Sequence, residues 1–169
     1  MHDTITVLEN GKELTFSFDD INDYHGRGFP GGVVHALKAM QAGFAALSDQ
    51  PLERREISIV TAFPGPGGRD CMEMVTRCVI DNRLTVDRSI GGKDVITDCP
   101  GPYVWRFTYC GKTAEVKIRP GYVLEEFVTL GAKPDKTPEE IERHEYLKSE
   151  MANRLLPLPA SDIYELTAG

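Results

Sequence analysis

The sequence has no run of roughly 20 apolar residues, the length a helix needs to cross a bilayer, and no basic run longer than Arg54-Arg55. With 19 Lys and Arg against 26 Asp and Glu, the formal charge is −7. Neither a membrane nor nucleic acid is therefore expected among its partners. Met1-His2-Asp3-Thr4 carries no basic region followed by an apolar core, so a cytoplasmic location is expected. There is no Cys-x-x-Cys pair: Cys71, Cys78, Cys99 and Cys110 are irregularly spaced, and reduced, buried thiols are expected. Gly-x-Ser-x-Gly and His-Glu-x-x-His are absent, which excludes the standard hydrolase and metalloprotease readings. The glycines at 65, 67 and 68 lack the Gly-Lys-Ser/Thr ending of a phosphate loop.

What is present is an ordinary globular composition. The 169 residues are 41% hydrophobic and 27% charged, enough for one compact domain that builds its core without metals or disulfides. Apolar segments at 5–8 and 14–16 flank Asn10-Gly11 and predict an opening β-hairpin. After a glycine-rich loop at 24–32, the rhythm Val33, Leu37, Met40, Phe44, Leu47 predicts a helix, with His35 on its opposite side, exposed or at an interface. Residues 57–63 read as a strand that stops at the Pro-Gly loop 64–68. A second helix is expected from an Asp70 N-cap to about residue 80.

Strands follow at 83–87, 102–109 and 112–119, then a short helix at 122–130 closed by Gly131. Thr137-Pro138-Glu139-Glu140 combines an N-cap, a proline at the first helical position and a capping-box glutamate, opening a long helix to about residue 156. His144 reads as part of its solvated face.

His25 lies beside Gly26 in a loop that runs into a helix N-terminus, where an imidazole can reach a ligand; Arg27 could clamp an anion there. Cys71 and Cys78 share a helix face, but about 10 Å of axial rise separates them, too far for a disulfide or shared chelation.

Together these residues resemble a family. Tyr24-His25-Gly26-Arg27-Gly28-Phe29-Pro30-Gly31-Gly32 looks like the His-Gly-His-x-Cys-Pro-Gly start of the formylmethanofuran dehydrogenase E-type family. Asp70-Cys71-Met72-Glu73 with Thr76-Arg77-Cys78 is similar to that family's Thr-Gly-Cys helix, and Gly111-Lys112-Thr113-Ala114 to its Gly-Lys-x-Ala strand. The anchors span about residues 24 to 166. The resemblance implies an α+β fold, a mostly antiparallel sheet packed with helices and similar to the C-terminal domain of glyceraldehyde-phosphate dehydrogenase. It also implies a homodimer and a zinc or other divalent transition-metal site.

Two ligand positions of that implied site are kept, His25 and Cys78; the other two hold Arg27 and Phe29, which are not metal ligands, and the family's C-terminal zinc ribbon is missing. The sequence thus points to a metal- or small-ligand-binding domain. Its pocket is expected at the His25 loop and the Cys78 helix, with His25, Arg27 and Lys112 as ligand contacts and an anion favoured by Arg27. Two alternatives stand beside it. One is an enzyme using His25 as acid or base, or Cys78 as nucleophile. The other is an accessory component of a larger assembly, docking through the Tyr103, Trp105, Phe107, Tyr109 face.

Overall fold

The computed structural model describes residues 2–92, 96, 98 and 100–168; Cys99 lies outside them. The chain opens as the expected hairpin, β1 (Thr4–Glu9) pairing antiparallel with β2 (Lys12–Ser17). Asn10 and Gly11 turn it at φ 53° and 76°, and the Glu53 carboxylate accepts hydrogen bonds from both turn N–H groups. A helix that the sequence pattern does not announce follows directly, α1 (Phe18–His25). Ser17 and Asp20 form a reciprocal capping box at its start, and Gly26 closes it in the left-handed region. His25 is therefore the last residue of a helix, not a loop residue.

Helix α2 (Pro30–Leu47) is the centre of the molecule. All eight residues from 33 to 40 are buried, so this stretch of the helix has no solvated side, and His35, expected to be exposed or at an interface, lies in the interior. The helix lies between a sheet and other helices, chiefly α3 (Pro66–Thr76) and α5 (Pro138–Leu155), with α1 alongside. Helix α3 starts four residues before the expected Asp70 cap, because Pro66 takes the first helical position and Gly65 the cap. Arg77 ends it at φ 59°, leaving Cys78 beyond the helix.

The sheet contains β3 (Ser58–Thr61), β4 (Leu84–Val86), β5 (Val104–Tyr109), β6 (Lys112–Ile118) and β7 (Tyr164–Ala168), in the order β4-β3-β5-β6-β7. Only the β3–β4 pair is parallel, so the fold is α+β with a mostly antiparallel sheet. Residues of period two divide its faces. Ile59, Trp105, Phe107, Ala114 and Val116 are buried in the core with α2, while Arg106 and Glu115 pair at 2.8 Å on the other face. Trp105 and Phe107 have no exposed surface, so the middle of the aromatic face is core, with Tyr103 and Tyr109 partly buried at its ends.

The short helix lies at α4 (Glu125–Ala132), and Thr137 and Glu140 cap α5 as the sequence predicts. A four-residue helix, α6 (Ala160–Ile163), then leads into β7; the sequence pattern predicts neither. No helix among the described residues is long and apolar enough to cross a membrane.

The seating of α2 on the sheet depends on Gly43. A Cβ there would stand 2.6 Å from Phe107 Cε2, inside a ring that has no room to retreat. Gly43→Ala is therefore expected to destabilise by about 1–3 kcal/mol, overpacking outweighing the roughly 1 kcal/mol gain in helix propensity. Urea denaturation checks it, and an unchanged or raised midpoint would contradict the tight contact.

Candidate functional site

The N-termini of α2 and α3 meet across glycines. A Cβ on Gly67 would lie 2.5 Å from the Phe29 carbonyl oxygen, which only glycine permits, and one on Gly32 would lie 3.2 Å from Gly68 N, a tight fit. Above the junction is a cleft of about 180 Å³. Gly31, Gly32 and Gly67 form its floor; Phe29, Phe63, Tyr103 and Phe127 wall it; His35, His144, Lys148 and Met151 complete it. Phe63 stacks on Trp105 with centroids 5.3 Å apart and planes 25° apart, so the aromatic wall continues into the core.

The lining is basic in a strongly acidic protein. Among the described residues it contains no aspartate or glutamate. Neither α2 nor α3 has a side-chain cap or an acidic residue in its first turn, whereas α1 and α5 have both. The positive ends of two helix dipoles are thus left uncompensated beside the cleft. Lys148 holds its ammonium 4.4 Å from the Phe29 centroid and 2.6 Å from Glu145 Oε1. His144 packs on Phe127 at 5.2 Å, and its Nε2 is buried without a protein partner. Burial, and then the charges of Lys148 and Lys136, lower the His144 pKa, which keeps the ring neutral at pH 7.

His35 forms the inner end. Its Nδ1 is 2.7 Å from the Tyr164 hydroxyl and its Nε2 3.1 Å from Met151 Sδ. A neutral ring protonated on Nε2 satisfies both contacts, donating to the thioether and accepting from Tyr164. Burial first, and the Arg154 charge second, push its pKa down to about 3.

The residues picked from sequence are not brought together. His25 Nδ1 is 2.8 Å from Asp70 Oδ2; the histidine side chain is 6% exposed and its Nε2 has no protein partner. The carboxylate can orient this ring for proton transfer, but Phe29, 5.8 Å away between centroids, stands between it and the cleft. Arg27 points to solvent at φ 65° and pairs with Asp23 on α1. Lys112 is exposed at the far hairpin end of the sheet, paired in register with Tyr109. Cys78 is buried past the C-terminal end of α3, eight residues on from Asp70, and burial raises its thiol pKa and that of Cys71. Cys110, expected to be buried, is exposed at the β5–β6 turn.

The implied metal does not fit this arrangement. His25 gives Nδ1 to Asp70, Cys78 lies past the C-terminal end of α3, and among the described residues no three His, Cys, Asp or Glu side chains converge as a metal group. Sequence reasoning does not reach the cleft residues His144, Lys148 and Met151; the i, i+4 spacing of His144 and Lys148 on α5 is the only signal it offers. No protein-family model matches the chain, and no curated protein matches it.

Proposed function

We propose that the protein binds a small, flat ligand in the cleft between α2, α3 and α5. The observation that carries this reading is the cleft itself: four aromatic side chains over a glycine floor, with few polar groups, at a helix–helix junction that only glycine permits. A space of about 180 Å³ suits one ring, since a cavity of roughly 150 Å³ holds benzene. The resemblance noted in the sequence contributes the loop that builds the floor, and no metal enters this reading. The buried thiols and the separation of His25 from the cleft favour binding over nucleophilic catalysis.

The test blocks the mouth. Gly131 is an exposed rim residue of α4 whose added Cβ would meet only His144, at 3.5 Å and beyond, so Gly131→Phe fits at little cost in stability. Trp105, the one tryptophan in the chain, stacks on the cleft wall and reports occupancy by its fluorescence. Saturable quenching by small monocyclic compounds, weakened about tenfold or more in Gly131→Phe, is the expected result. Equal binding to both proteins would place the ligand elsewhere.

A further inference from the structure

Resting on that reading, we infer that the ligand is a monocyclic carboxylate, its ring held between the aromatic walls and its carboxylate on Lys148 Nζ and His144 Nε2. Three independent features of the cleft lead there. The space of about 180 Å³ admits one six-membered ring and a small head group, and little more. The lining holds a lysine and no carboxylate among the described residues, although the chain has 26 acidic residues to place. The two polar atoms that a ligand could engage, on residues one helical turn apart, are both suited to an anion.

Lys148 is held for this purpose. Its side chain is only 12% exposed, with the stem packed into the cleft and the ammonium over Phe29. Its protein counter-ion is Glu145, 59% exposed at the rim, and a solvated pair of this kind is readily exchanged for a desolvated ligand carboxylate. His144 Nε2 is buried, unpartnered, and on the same face of α5. A neutral imidazole protonated there donates one hydrogen bond to a carboxylate oxygen while the lysine takes the other. A cationic ligand would be repelled by Lys148, and the nearby carboxylate, Glu145, is already paired with that lysine. A neutral one could accept from these donors only through an uncharged oxygen, without the charge-assisted gain of a carboxylate.

The probes are benzoate and benzamide, alike in shape and different in charge, titrated into the full chain by calorimetry and Trp105 fluorescence. Benzoate is expected to bind at least about tenfold tighter than benzamide. Lys148→Met is expected to remove that preference while benzamide affinity stays within about twofold. Lys148→Gln repeats the comparison with a polar side chain, and melting temperatures confirm that both variants are folded. Equal affinity for the two probes, or a benzoate preference that survives in both folded variants, would overturn the carboxylate assignment and leave the cleft as a site for neutral rings. Saturation by neither probe would overturn this inference and the binding reading together.

Discussion

Lys38→Met is expected to cost about 3–5 kcal/mol of stability, the range for removing one partner of a buried charged cluster. At roughly 2–4 °C per kcal/mol for a chain of this size, the melting temperature should fall by about 6–20 °C. Lys38 has no exposed surface, and its ammonium donates to three backbone carbonyls: His2 at 2.5 Å, Leu158 at 2.6 Å and Leu156 at 2.9 Å. It thereby ties the N-terminal segment and the turn after α5 to the central helix. Burial lowers its pKa to about 8, opposed by the charge of Asp3, so the ammonium is the form present at neutral pH. Methionine fills nearly the same volume but leaves the Leu156 and Leu158 carbonyls without a donor, each costing about 1–3 kcal/mol where water cannot reach it, while His2 O keeps a hydrogen bond from Gln41 Nε2 at 3.2 Å. The loss therefore tests the charge and not the packing. Thermal and urea denaturation at pH 7 measure it, and a loss below about 1 kcal/mol would mean that water replaces the lysine.

Lys38 also marks where the sequence stops being informative. Periodicity locates α2, and the apolar stripe from Val33 to Leu47 is buried, as its spacing implies. What periodicity does not contain is that the opposite face is covered too. The burial of His35 and Lys38 is not legible locally because the groups that satisfy them, Tyr164 and the carbonyls of residues 2, 156 and 158, come from the two distant ends of the chain. The capping box on α5 is legible because all its parts lie within four residues. Ser17 and Asp20 make the same local device with aspartate in the glutamate's place, and that replacement hides α1 from a search for the usual pattern.

The site follows the same rule. The Gly-rich loop stands out in the sequence as a place where a helix N-terminus meets a ligand-sized space, since glycine and proline spacing is local information. Its partners are not legible. His144 and Lys148 sit in a charged stretch whose polar residues are mostly solvated, and only the packing of α4 and α5 turns these two inward. His25 is prominent in sequence, yet its ring is engaged by Asp70, which lies inside the first turns of α3 and does not cap it.

The acid limb of the stability profile should carry the signature of His35. Its pKa is about 3 in the folded chain against an ordinary 6.5, so below pH 6.5 the unfolded chain takes up a proton that the folded chain refuses. Stability contributed by the neutral ring is complete above pH 6.5 and is lost as pH falls toward 3, by about 1.4 kcal/mol per unit once the unfolded histidine is charged. Over the whole window this approaches about 4–5 kcal/mol, large against the roughly 5–15 kcal/mol that a domain possesses. His35→Gln should therefore be less stable than the parent at pH 7, having lost the imidazole contacts, but its stability should fall less steeply between pH 6 and 4, by nearly one proton. Carboxylates titrate in both proteins and cancel in the difference. Parallel acid limbs in urea denaturation would show that the folded chain accepts the proton at His35. The same neutrality bears on the cleft. With His35 uncharged and its two nitrogens engaged by Tyr164 and Met151, the positive charge offered to a ligand comes from Lys148, at the mouth, and the inner end stays apolar. A ligand ring would enter first and its acidic group would remain outermost, where the ammonium is.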